Sequence, residues 1–107
     1  MPTVVEYVDA RGRSLFARWF DELDARAAAK VAVVVVRMRE GNLSNVKSLG
    51  GGLFERRLTF GPGYRIYFGF ENENLVILLG GGQKRRQSED IAAARRHWRD
   101  YLERRSG

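Results

Sequence analysis

The stretch Leu53-Phe54-Glu55-Arg56-Arg57-Leu58-Thr59-Phe60-Gly61-Pro62-Gly63-Tyr64-Arg65-Ile66-Tyr67-Phe68-Gly69-Phe70 decides the fold. Apolar and polar residues alternate on both sides of Gly61-Pro62-Gly63, which is the period of a half-buried strand interrupted by turn chemistry. Two antiparallel strands follow, over residues 53–60 and 64–70. With Gly61-Pro62-Gly63 as a three-residue loop, Phe60 stands opposite Tyr64 and parity carries across the turn. Phe54, Leu58 and Phe60 then share a core face with Tyr64, Ile66, Phe68 and Phe70. Glu55, Arg57 and Thr59 share the other face with Arg65 and Tyr67, and Arg56 is the exception that falls on the apolar side.

Outward from this hairpin, residues 74–79 carry Leu75-Val76-Ile77-Leu78-Leu79, apolar on both faces, which places a third strand centrally with helices over both its sides. Gly50-Gly51-Gly52 and Gly80-Gly81-Gly82 read as bends within one domain spanning residues 1–107, since they are too short for linkers. Residues 3–8 are rich in β-branched side chains and predict a first strand. Ser14 caps a short helix whose stripe is Leu15, Phe16, Trp19, Phe20 and Leu23. Residues 24–40 include the run Val31 to Val36, which has strand propensity, yet Asp24 as cap, the alanine-rich start and Gly41 as C′ residue favour a helix. A loop runs through Ser48. Ser88, with Glu89 and Asp90 behind it, caps a last helix buried along Ile91, Ala94, Trp98, Tyr101 and Leu102. The order is β-α-α-β-β-β-α, a small α+β domain with helices packed on an antiparallel sheet.

Composition narrows the function. The chain has 107 residues, 19 Lys and Arg against 13 Asp and Glu, and a net charge of +6. Only Lys30, Lys47 and Lys84 are lysine, so the cations are overwhelmingly the planar forks that suit phosphate and carboxylate. Nucleic acid is the leading partner class, against the alternative of a merely solvated basic surface. With no cysteine and one histidine, disulfides, thiol chemistry and zinc fingers are excluded. Met1-Pro2-Thr3 leads into Glu6 and Asp9 without an apolar run, and residues 31–36 are too few to span a bilayer. The expected compartment is the cytosol, with no membrane partner.

Arg57, Arg65 and Lys84 form the sharpest candidate site. The first two share the polar face, where loss of a side chain would leave no cavity, and a tight hairpin at Glu71 to Asn74 sets Arg65 opposite Gly80. The flexible triple glycine can then bring Lys84 back toward them. The competing reading is a solvated face with scattered salt bridges, Glu55 being an obvious partner. Gln83-Lys84-Arg85-Arg86 lacks the Gly-Lys-Ser/Thr of a nucleotide loop. His97 falls at the edge of the last helix's apolar stripe. Asp21-Glu22-Asp24 and Glu71-Glu73 look like a helix end and a turn, so no metal or other cofactor is expected. Trp19 and Trp98 sit on core stripes rather than on base-stacking platforms.

Four strings taken in order resemble one family: GLFERRL at 52–58, GPGYRIYF at 61–68, LLGGGQKRRQ at 78–87 and DIAAARRHW at 90–98. They resemble the HigB-like addiction-module killer proteins of the RelE/ParE toxin superfamily. The resemblance implies a RelE-like fold and a bacterial type II toxin that cleaves messenger RNA, commonly on the ribosome, and is silenced by a cognate helix-turn-helix antitoxin. It carries catalytic roles onto Arg57, Arg65 and Lys84, with Arg56, Gln83 and Arg85-Arg86 departing from the family's usual residues. Lys47, Arg56, Tyr67, Arg85 and Arg86 are the RNA contacts expected around them. RNA supplies its own nucleophile, the 2′-OH, so arginines for phosphate charge and Lys84 for proton transfer or charge would suffice, with Glu55 as a spare base. Two alternatives stay open: a toxin of the ParE type that poisons gyrase without catalysis, and a plain nucleic-acid-binding module.

Overall fold

In the computed structural model of the protein, which describes residues 2–72 and 74–106, strand β4 (Tyr64–Glu71) is the middle of a five-stranded sheet. The others are β1 (Thr3–Glu6), β2 (Val46–Gly50), β3 (Leu53–Arg57) and β5 (Leu75–Gln83), in the order β1-β5-β4-β3-β2. Helices α1 (Leu15–Asp21) and α2 (Ala25–Arg39) precede β2, and α3 (Gln87–Ser106) follows a 3-10 turn at Lys84–Arg86. The fold is α+β, with two differences from expectation. Residues of β2 form a strand and not a loop: this half-exposed edge strand shifts register between Ser48 and Gly50, which blurs its alternation. And β1 runs parallel to β5, so the sheet is mixed. Nothing in a local pattern fixes the direction of a pairing between Thr3 and Leu75, far apart in the chain.

Local chemistry explains the helices. The Ser14 hydroxyl accepts from the Ala17 N–H at 3.1 Å and the Asp24 carboxylate from the Ala27 N–H at 2.8 Å, satisfying orphan donors of α1 and α2. Gly41, at φ +88°, donates to the Met38 carbonyl and ends α2. The valine run is helical, as its context indicated: Val31 and Val34 are buried while Val33 and Val36 face outward.

The sheet separates two cores. On one side Phe16, Ala27, Val31, Val34 and Met38 meet Leu58, Ile66, Phe68, Val76 and Leu78. On the other, Ala94 and Trp98 of α3 cover Tyr7, Leu53, Tyr67, Ile77 and Leu79. Gly69 makes room for Trp98, because a Cβ there would overlap the indole ring, and the Trp98 N–H donates to the Gly51 carbonyl at 2.7 Å. Ser88 is not the cap of α3. The helix begins one residue earlier, straight out of the 3-10 turn.

Two register corrections bear on the surroundings of Arg65. The β3–β4 loop is longer than Gly61-Pro62-Gly63: the Leu58 N–H bonds the Tyr64 carbonyl at 3.0 Å, and Arg57 stands opposite Arg65. The slip is an even number of residues, so the two faces keep their membership. Between β4 and β5 the turn closes on Glu71 and Leu75, and Leu79 is then skipped between the pairs Phe68↔Leu78 and Tyr67↔Gly80. Arg65 therefore faces Gly82, not Gly80. Gly80-Gly81-Gly82 is no flexible bend but part of β5, with Gly81 against Trp19 and Gly82 against Asp90. Among the described residues no helix is long and apolar enough to cross a membrane.

Candidate functional site

Glu55 is the hub. Its carboxylate is fully shut off from solvent and faces three partners from three elements: Arg57 Nε of β3 at 3.2 Å, Arg65 Nε of β4 at 3.6 Å, and Gln87 Nε2 at the start of α3, which donates at 2.8 Å. Arg65 also donates from Nη1 to the Gly63 carbonyl at 2.8 Å. The arrangement is a buried ion pair, Arg65 with Glu55, extended outward by Arg57, whose side chain is 50% exposed. A buried pair of this kind costs desolvation, which neighbouring hydrogen bonds offset, so it reads more as a device for fixing geometry than as a source of stability. The scattered surface salt bridges of the competing sequence reading do not describe it.

Lys84 joins this cluster. A Cβ on Gly63 would sit 3.2 Å from Lys84 Cβ and 3.4 Å from Arg65 Nη1, so Lys84 lies beside the arginine at the hairpin's end. It arrives there because β5 runs extended to Gln83, opposite Tyr64, and not because glycines fold it back. Arg65 differs from expectation in one respect. At 7% exposure it is a buried residue, not a member of an open polar face, so its loss would take from Glu55 its buried countercharge.

Next to the cluster a groove of about 640 Å³ opens between α1 and α3 at the end of β5. Arg18, Arg85 and Arg86 rim it, Trp19 forms one wall, and Gly80, Gly81 and Gly82 leave the backbone bare along it. Tyr67 and Asp90 lie in its floor, and the Tyr67 hydroxyl and Asp90 Oδ2 are both buried with no hydrogen-bond partner. Burial pushes the Tyr67 hydroxyl far up, with Glu55 and Asp90 adding and Arg65 opposing. Burial also pushes the Asp90 carboxyl up, against the attraction of Arg86. The Tyr67 hydroxyl is thus held in its protonated form, and the Asp90 carboxyl gives up its proton less readily than an exposed one.

The other expected contacts divide. Lys47 faces Glu55 across β2 and β3 and is exposed. Arg85 and Arg86 are exposed on the 3-10 turn, Arg86 being paired with Glu89. Tyr67, expected on an open face, is 1% exposed beneath α3 and meets the groove only at its floor. Arg56 is on the opposite side of the sheet from Arg57, as parity placed it, and belongs to no part of this cluster. His97 packs its ring 5.1 Å from Tyr7, away from the site. Of the Glu71-Glu73 pair, Glu73 lies outside the described residues, and Glu71 pairs with Arg105. Gln87 and Asp90 were missed as site residues. Their signal was their place in the first turn of α3, where Asp90 was assigned to the helix's acidic first turn alone and Gln87 was given no role.

Comparison with known proteins places the chain among relatives. The family model described as Phage derived protein Gp49-like (DUF891) matches residues 18–99, which takes in most of α1, the Glu55 cluster and most of α3. An uncharacterized protein of Haemophilus influenzae is 42% identical over 81 residues, 75% of this chain and 82% of that protein.

Proposed function

Since the chain belongs to the Gp49-like family of phage-derived proteins, a toxin–antitoxin-associated family, we propose that it is a HigB-like toxin that cuts messenger RNA through the RNA's own 2′-OH. The observation that carries this reading is the buried carboxylate of Glu55 holding Arg57 and Arg65 near Lys84, with the exposed Arg85 and Arg86 following on the same turn. In-line attack of a 2′-OH on the adjacent phosphate needs position, charge stabilisation at phosphorus and movement of two protons. Arg57, half-exposed and held from behind by Glu55, presents its free N–H donors to a phosphate, and Arg65 adds positive charge from beneath. Lys84 donates a proton to the departing 5′-oxygen as the P–O5′ bond breaks, and the proton released by the attacking 2′-OH passes to solvent water. Glu55, enclosed by its three partners, positions the arginines and is not the base. Ribosome-bound message is the substrate, the cytoplasm the setting, and the partner an antitoxin whose acidic segment covers the Arg57–Lys84 face, in competition with RNA.

The test is RNA end chemistry after induced expression without the antitoxin. Translated messages should carry new 5′-hydroxyl ends and matching 2′,3′-cyclic phosphate or 3′-phosphate ends, and a message 2′-deoxy at the cut should be inert. Intact transcripts together with a DNA-damage response would replace this reading by gyrase poisoning. Ends bearing 5′-phosphate would remove the 2′-OH mechanism.

A further inference from the structure

A second groove of about 580 Å³ lies on the other face of the sheet, between α2 and the β3–β4 hairpin. Four cations line it, Arg26, Lys30, Arg37 and Arg56, and none of its lining residues is acidic. Among the described residues no carboxylate pairs with any of the four. Arg26 and Lys30 are one helical turn apart and both sit over the Phe60 ring, at 5.6 and 5.4 Å from its centroid. Arg56 is only 8% exposed, and its guanidinium donates to the neighbouring Arg57 carbonyl. Its burial and the charge of Arg37 both disfavour its cationic form.

Like charges gathered at a half-buried site repel one another unless an anion comes between them. The contrast with the first site is direct: there Glu55 matches the arginines from within, while here the matching charge is missing from the fold. Arginine forks fix a phosphate oxygen in two-pronged fashion, and successive phosphates along a strand supply repeated charges at the spacing of a groove. The hairpin end at Leu58 to Phe60 lines this groove, and Arg56 and Arg57 are consecutive on one strand, on opposite faces of the sheet.

We propose that this groove is a second RNA-backbone site, in which Arg26, Lys30, Arg37 and Arg56 take the phosphates of a strand that passes around the β3–β4 hairpin from the Arg57–Lys84 face. The assignment of RNA as the polyanion rests on the function proposed above; the groove itself does not.

Binding of a labelled 2′-O-methyl RNA oligonucleotide, which cannot be cut through its 2′-OH, tests it by anisotropy over a range of salt. The variant Lys30→Gln/Arg37→Gln removes two exposed cations and should keep the fold. Its plot of log affinity against log salt should be shallower by about 1.4, at ~0.7 for each phosphate left unneutralised. Arg56→Leu should weaken binding while its melting temperature stays level or rises, because an unmatched buried charge is gone. Arg99→Gln on α3 should leave the slope as it is. A wild-type slope in the Lys30→Gln/Arg37→Gln variant overturns the groove as an RNA site and leaves the proposed activity standing. Failure of the wild-type protein to bind the oligonucleotide at all overturns the groove as an RNA site, while the proposed activity stands or falls separately on the end chemistry of translated messages. If a glutamate-rich peptide binds the wild type and not the double variant, while the RNA slope is unmoved, the groove belongs to a protein partner and the proposal falls.

Discussion

Arg65 Nε and Glu55 Oε1 lie 3.6 Å apart, on adjacent strands, with both side chains closed to water. Removing Glu55 leaves Arg65 buried without a countercharge, and removing Arg65 takes from Glu55 its one buried cation, leaving the half-exposed Arg57 and the Gln87 amide. Glu55→Ala and Arg65→Ala should each lower unfolding free energy by about 3–5 kcal/mol, read from urea titrations. The double variant Glu55→Leu/Arg65→Leu should recover part of that loss. Additive losses in the double variant would mean that the two side chains are independent.

Arg57 and Lys84 separate function from folding. Both are exposed, so Arg57→Ala and Lys84→Ala should melt close to the wild type. RNA cleavage should fall about 100-fold or more in each, the usual cost of removing a donor aimed at developing charge. Loss of toxicity in Arg65→Ala is a weaker test, since that protein is also destabilised. Full growth arrest from a folded Arg57→Ala/Lys84→Ala protein would place the chemistry elsewhere.

Gly69 is a packing position. A methyl group there overlaps the Trp98 ring, and the site has no slack because the indole N–H is tied to Gly51. Gly69→Ala should cost about 1–3 kcal/mol by overpacking. Combined with Trp98→Ala it should cost much less than the two changes separately, because the clash is then gone. Thermal melts of the four proteins check this.

Asp90 gives a pH signature. Burial raises its folded pKa above the unfolded value near 3.8, so the folded state holds the proton more tightly. The stability linked to it is fully present below the unfolded pKa and is lost as pH rises through the folded one. Asp90→Asn carries no such proton. Its stability relative to the wild type should therefore grow between pH 3 and pH 7, measured as the difference in urea midpoints at each pH; a constant difference would show that the carboxyl is not shifted.

Much of the fold was legible because period-two and helical patterns depend only on neighbours. The two faces of the hairpin, the helical reading of Val31 to Val36 and the coverage of β5 on both sides all came from such patterns. What was not legible depends on partners distant in the chain. The direction of β1 is set by Leu75 to Leu78, and the registers around Arg65 by a loop that extends past Gly61-Pro62-Gly63 and by the skipped Leu79. The triple glycine looked like a hinge because its missing side chains are replaced by Trp19 and Asp90, which no spacing rule connects to it. Among candidate site residues, grouping Arg57, Arg65 and Glu55 needed only strand parity. That Arg65 is buried, and that Gln87 completes the cluster, follows from how α3 lies across the sheet.

The pairing of β1 with β5 also sets when the molecule can exist. Thr3 waits for Leu75 before it has a neighbour in the sheet, and Glu55 lacks its amide partner until Gln87 has been made. During synthesis from the N-terminus, the first helices and the β3–β4 hairpin can form early, but the sheet cannot close and Glu55 cannot gain its amide partner until about four-fifths of the chain is present. A peptide released before Gln87 therefore has the hairpin's Glu55, Arg57 and Arg65 but lacks the amide contact and the helix that enclose them.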